Sequence, residues 1–335
     1  MDNISISFIE SVYEICGGDL AKRAKELPDR WGDLAEAYLE YSGSVELRYS
    51  LHNFGPQCRL YYKLNGFPHI ENRRLSPEVV KQMSDCTRSI RLTFEEYLED
   101  PDEWICIDPE GGEDDAAIQL LMDLDAPWKI LHLQKNQFVA GLGPNCVEMV
   151  TRYPRLLRTF TTIELATFTE PAYVQFVQDA VATGRVESVG IYPPMGKKEL
   201  VPAVLPTSFW IDYFFSESCQ TLHVHFKDLD VPLGVIDRWQ KTDPRTLTPS
   251  KLLSGFRASE KALEEQGVDM TTILLSDADP KVRKIIERTP PASRVTPSPL
   301  RASMSSLRYI CHPVDPSSRI YFVFRRSGEC SLLLP

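Results

Sequence analysis

The sequence predicts an α/β protein in which a short N-terminal helical bundle precedes a degenerate, curved array of strand-helix units. Three observations lead there. Apolar residues recur at helical spacing through about the first forty residues. From about residue 86, short strand-like runs return every 25 to 40 residues, roughly the period of repeats built from one strand and one helix. Helical segments fill the intervals. At 335 residues, with 43% apolar and 25% charged residues, the chain can bury a sizeable core in one large domain or two ordinary ones.

Residues 1–44 read as three short helices. Phe8, Ile9, Val12, Tyr13, Ile15 and Cys16 suit one face of the first, which Gly17-Gly18 stops. Asp19 can cap a second helix carrying Leu20, Ala24 and Leu27, ending near Pro28. Asp29 can cap a third, with Trp31, Leu34, Ala35, Tyr38 and Leu39 at helical spacing. So small a bundle has little core of its own and is expected to lean on a partner or on the next domain. Between residues 45 and 80, Val45, Leu47, Tyr49 and Leu51 alternate, as do Leu60 and Tyr62, with Gly55-Pro56 between them. That is a hairpin or sheet-edge pattern.

Strand-like runs then appear at 89–94, 128–133, 161–165, 186–191 and 220–226. Helical segments are expected at 114–125, 145–153, 171–182 and 207–218, and two more within 258–288. Such units cannot bury their apolar faces alone, so neighbours stack and the strands line a curved parallel sheet, leucine-rich-repeat-like in plan. No LxxLxLxxN string is present, and the periodicity by itself fits an open α/β sheet equally. Residues 45–288 form the expected recognition domain. Residues 289–303 read as a proline-rich linker, and 304–335 as a C-terminal strand pair with strands at 307–311 and 319–324.

The formal net charge of -10 argues against a general nucleic-acid binder, because neutralising phosphates needs clustered Lys and Arg. No cationic start with a long apolar run and no membrane-spanning stretch is visible, so no membrane partner is expected. The eight cysteines are scattered without a CxxC pair, which suits reduced thiols in a cytoplasmic or nuclear protein.

Candidate chemistry is sparse. His223-Val224-His225 places two imidazoles on one face of a strand, the best metal-ligand spacing in the chain. No Cys, Asp or Glu of matching spacing supplies a third ligand, so a half-buried sheet pair is expected, with no metal or cofactor. Cys106, within Trp104-Ile105-Cys106-Ile107, reads as core rather than as a nucleophile. Gly141-Leu142-Gly143-Pro144-Asn145 lacks the third glycine and the Lys-Ser/Thr of a phosphate loop, and reads as a turn capping the next helix. Glu110-Gly111-Gly112-Glu113-Asp114-Asp115 complements a helix dipole and does not fit a calcium loop. Thr289-Pro290, Thr296-Pro297 and Ser298-Pro299 resemble proline-directed phosphorylation sites. The chain is not expected to be an enzyme.

The order Phe8-Ile9-Glu10-Ser11-Val12, Asp19-Leu20, Trp31 and Leu34 resembles an F-box, with Ile4-Ser5-Ile6-Ser7 in place of the usual Leu-Pro opening. The tail, His312-Pro313 followed by Ser318-Arg319-Ile320-Tyr321-Phe322-Val323-Phe324, is similar to that of the nematode F-box-associated proteins. The resemblance implies a substrate-receptor subunit of a cullin-type ubiquitin ligase. It places Phe8, Ile9, Val12, Leu20, Trp31 and Leu34 against a Skp1-like adaptor, and an unknown target protein on the strand-helix array.

Overall fold

The computed structural model describes the chain outside residues 1–4, 17, 28–29, 52–57, 72, 95–97, 99–100, 108–111, 125, 134–154, 166–170, 192–204, 227 and 288–303. The expected helix at 145–153, the glycine turn at 141–145 and the three phosphorylation candidates of the linker lie outside the described residues. The fold is mixed α/β, and the chain divides into two compact units, Met1–Glu164 and Leu165–Pro335.

In the first unit, helices α1 (Ile6–Cys16), α2 (Gly18–Ala24) and α3 (Arg30–Tyr41) form the bundle. Ser5 caps α1, its Oγ accepting from the Phe8 amide at 3.3 Å, so the serine standing in the unusual opening satisfies a free helix-end N–H. Ile9, Tyr13, Ala21, Ala24 and Ala35 are the buried centre, with Leu20, Trp31, Leu34, Tyr38 and Leu39 packed around them. Helix α3 runs almost directly into strand β1 (Gly43–Leu51), which pairs antiparallel with β2 (Cys58–Gly66) and parallel with β3 (Thr87–Phe94). The turn after β2 places Gly66 and Phe67 at φ 85° and 54°, and the Phe67 ring lies over Gly43, where any Cβ would stand 2.3 Å from it. Only glycine fits there.

Helix α4 (Pro77–Met83) leads into β3, started by Pro77 and by Ser76 Oγ accepting from the Val79 amide. Strand β4 (Ile105–Cys106) adds to the far side of β2. Helix α5 (Gly112–Asp123) buries Ala117, Ile118, Leu121 and Met122 and precedes β5 (Trp128–Leu133), parallel to β3. The short α6 (Leu156–Thr159) leads into β6 (Thr162–Leu165), next to β5.

The second unit has two regimes. First come α7 (Pro171–Ala182), β7 (Ser188–Ile191), α8 (Thr207–Phe215), β8 (Thr221–Val224), α9 (Asp230–Lys241) and β9 (Lys251–Arg257). Its strands β7, β8 and β9 are parallel neighbours joined through helices. After α10 (Glu260–Glu265), β10 (Thr271–Thr272) and α11 (Pro280–Glu287) comes an antiparallel meander of β11 (Met304–Cys311), β12 (Arg319–Arg325) and β13 (Glu329–Leu334). The C-terminal segment is therefore three strands rather than a pair. Gly328, at φ 82°, turns the chain so that β13 fits between β12 and β9.

Register divides this sheet into contrasting rows. Val189, Leu222, Leu253, Leu332 and Phe322 lie opposite one another on successive strands, and all are buried. The next row, Gly190, His223, Ser254, Ser331, Val323 and Leu307, points to the other face and turns from polar to apolar along its length. Its apolar end joins Tyr321 and Leu333 beneath Val282 and Ile286 of α11. Helices α8 and α9 supply Trp210, Tyr213, Phe214, Val235 and Trp239 to the core. They approach closely at Gly234, where a Cβ would meet the Ile211 side chain at 2.3 Å.

Candidate functional site

The six residues expected to face an adaptor fall into three environments. Phe8 is 55% exposed. Ile9 is wholly enclosed and serves the bundle's own core rather than its surface. Val12, Leu20, Trp31 and Leu34 are half-buried. Phe8 and Val12 stand four apart on α1 and so share a face, beside the inward pair Ile9 and Tyr13. The Tyr13 hydroxyl donates to the Trp31 carbonyl at 2.7 Å, and the two rings meet edge to face with centroids 5.9 Å apart. That bolt seats the N-terminus of α3 on α1. Lys25 pairs with Glu36 at 2.7 Å, and this partner raises the lysine's pKa. Ile6 and Leu27, which the sequence reading did not single out as surface residues, are each about half exposed (50% and 51%). Their exposure follows from the smallness of the core. Ala21, Ala24 and Ala35 fill it, leaving no depth in which larger side chains could be buried.

Nucleophilic chemistry finds no support in the cysteines. Cys86 Sγ lies 3.8 Å from His69 Nε2, but burial, with Asp85 nearby, pushes the thiol up, away from the thiolate. Burial likewise raises Cys219 to about 11. Cys106 is half-buried on the two-residue strand β4, which among the described residues pairs with β2 alone, so it is not the core thiol its apolar neighbours suggested. The described cysteines 86, 106, 219, 311 and 330 are all free.

The other concentration of chemistry lies on the polar row of the second unit. His223 Nδ1 is 2.8 Å from Ser254 Oγ, and His223 Nε2 is 3.2 Å from His225 Nε2. Burial lowers the His223 pKa to about 3, reinforced by His225 and Arg325. Burial also lowers that of His225, against the pull of Glu329. Arg325 Nη1 contacts Glu329 Oε2 at 3.1 Å. Among the described residues no group of three His, Cys, Asp or Glu side chains converges. The pairing of the two histidines was legible from their spacing, but Ser254 was not, because only the β8–β9 register brings it alongside.

Two further features belong to this unit. Lys251 is almost wholly buried and donates to the Ser216 and Cys219 carbonyls at 2.6 and 2.7 Å, a cation placed just past the C-terminus of α8. A groove of about 470 Å³ is lined by Leu233, Ile236, Val268 and Ile310, by Asp269, and by Asp237, whose carboxylate pairs with Lys241 at 2.7 Å. His312, part of the distinctive tail pattern, is structural. Its Nδ1 accepts from the Val314 and Asp315 amides, and its Nε2 reaches the Trp239 and Thr242 carbonyls at 3.0 Å.

No helix among the described residues is long and apolar enough to cross a membrane. In comparisons with known proteins, no family model, no curated protein and no solved structure matches this chain.

Proposed function

We propose that the chain is a recognition subunit of a cullin-type ubiquitin ligase, working in the cytoplasm or nucleus by binding rather than by catalysis. The bundle docks a Skp1-like adaptor, and the strand-helix array, curved and leucine-rich-repeat-like, grips a target protein. One observation carries the reading: a bundle whose centre is largely alanine leaves Phe8 more than half exposed beside half-buried Val12, with Trp31 of the third helix half-buried as well. Aromatic and aliphatic anchors of this kind carry most of the energy of a protein interface. Phe8, Val12 and Trp31 make the contact, Leu20 and Leu34 border it, and Ile9 holds α1 in place from within. The groove lined by Leu233, Ile236, Val268, Ile310 and Asp269 suits a target segment that combines basic and apolar side chains.

A second reading, a stand-alone interaction scaffold, draws on the Ile4-Ser5-Ile6-Ser7 opening. There Ser5 is spent on capping α1 and the Leu-Pro of the resembled motif is absent. Co-purification with a Skp1-like adaptor separates the two. The adaptor reading expects capture by the unmodified chain and loss of capture in a Phe8→Ser, Val12→Ala, Trp31→Ala triple variant. No capture by the unmodified chain leaves the scaffold.

A further inference from the structure

We propose that His223 and His225 form a two-histidine chelate for a divalent first-row transition-metal ion, on the polar row of β8 and β9. This site is independent of the adaptor surface, which lies in the bundle. The geometry carries the proposal. The two Nε2 atoms face each other at 3.2 Å, with ring centroids 5.0 Å apart and ring planes at 82°. Two imidazole nitrogens bound to one tetrahedral ion, each about 2.0–2.1 Å from it, stand roughly 3.3–3.4 Å from each other. The observed separation is slightly short of that value, so to share an ion the rings part a little and turn until both lone pairs meet at one point off the line joining the nitrogens.

The second shell is also in place. Metal-bound histidine ordinarily engages its other ring nitrogen with a hydrogen-bond partner that fixes tautomer and ring orientation. His223 Nδ1 has Ser254 Oγ at 2.8 Å. With Nδ1–H donating to that hydroxyl, the Nε2 lone pair points at His225. Ser254 is itself held by pairing on both sides, to His223 of β8 and Ser331 of β13.

Ligation requires neutral imidazole, and burial lowers the pKa of both rings, which favours that form. Without an ion, the same geometry is held by one Nε2–H donating to the other ring. Metal binding leaves both rings neutral: the ring that donated through Nε2 carries its proton on Nδ1 instead, which frees both Nε2 lone pairs for the ion. The charged groups acting on the pair are Arg325, Arg257 and Glu329. The guanidinium groups oppose a cation, and the Arg325–Glu329 contact offsets part of that opposition. Since no third protein ligand converges among the described residues, the remaining coordination positions fall to water or a small anion. The two arginines favour the anion.

The test uses the full chain, stripped with a chelator and titrated with Co²⁺ followed by visible absorption and with Zn²⁺ followed by calorimetry. The expected result is one saturable equivalent, abolished in His223→Gln and in His225→Gln and retained in His69→Ala. Ser254→Ala is expected to weaken binding by about tenfold or more through loss of the orienting hydroxyl. Should the glutamine variants fail to fold, the Nε2 resonances of the histidines in the unmodified chain are read on Zn²⁺ addition, with His223 and His225 expected to shift. Unchanged binding in folded His225→Gln, no saturable binding by the unmodified chain at millimolar ion, or Zn²⁺ shifts confined to other histidines would each overturn the proposal. The pair would then be a hydrogen-bonded one only.

Discussion

The N-terminal bundle and the helices of the second unit solve the same packing problem with opposite means. Helices α1, α2 and α3 close around Ile9, Tyr13 and three alanines. Helices α8 and α9 bury Trp210, Tyr213, Phe214, Val235 and Trp239. A large side chain removed from water contributes about 1.5–3 kcal/mol, and an alanine far less, so the two regions differ widely in what burial supplies. The alanine-centred bundle keeps its helices close but has no room to hide Ile6, Phe8 or Leu27. The aromatic core encloses those five side chains, while Phe209, Ile211 and Phe215 of α8 stay half-buried. A small core thus costs stability and leaves apolar surface, which is useful only where a partner is to be met.

The comparison breaks first at Trp239. Trp239→Ala is expected to destabilise the second unit by about 3–5 kcal/mol in urea unfolding, because it empties a fully enclosed site beneath His312. Trp239→Phe should cost much less, since the indole N–H has no hydrogen-bond partner among the described residues. In the bundle, Ile9→Ala is expected to cost about 2–3 kcal/mol and to reduce helical circular dichroism, the smaller neighbours collapsing partly into the gap. A loss at Ile9 equal to that at Trp239 would erase the contrast.

The two regions also differ in titration. No histidine precedes His52, whereas the second unit holds the neutral pair His223 and His225. His223 titrates near 3 when folded and near the ordinary imidazole value of about 6.5 when unfolded. Between those values the unfolded chain binds more protons. The stability from keeping the ring neutral is therefore complete above about pH 6.5 and is lost as pH falls toward 3. Unfolding measured from pH 7 to pH 5 should show this slope, and His223→Gln should flatten it, leaving the contribution of His225. The smallest effect is expected at Phe8. Phe8→Ser should leave stability within about 0.5 kcal/mol, as a change on exposed surface does. A larger loss would make Phe8 a core residue and remove the contrast on which the docking surface rests.

Much of the secondary structure could be read from spacing. The proline-started run at 171–182 coincides with α7, and the apolar run at 128–133 with β5. Other elements went unread although their signals are in the chain. Helix α9 has Val231, Val235 and Trp239 four apart, and β9 has the apolar sequence around Leu252, Leu253 and Phe256. Gly234 and Lys251 obscure both, a poor helix former and a charge that only their neighbours explain: the Ile211 side chain and the Ser216 and Cys219 carbonyls. In the bundle, spacing identified an inward stripe, but it could not separate Ile9, which is enclosed, from Phe8, which is not. Adjacent apolar residues on a helix are distinguished only by what packs over them.

By itself the sequence determined the helical head, the rhythm of strands and helices, and the placing of two histidines on one face of a strand. These follow from local periodicity, which the 3.6- and 2-residue repeats impose without reference to the rest of the chain. Tertiary structure alone decided that β13 enters between β9 and β12, that Ser254 meets His223, and that the imidazoles face each other nitrogen to nitrogen. Register between strands distant in sequence depends on the mutual fit of whole faces, and no local pattern contains it.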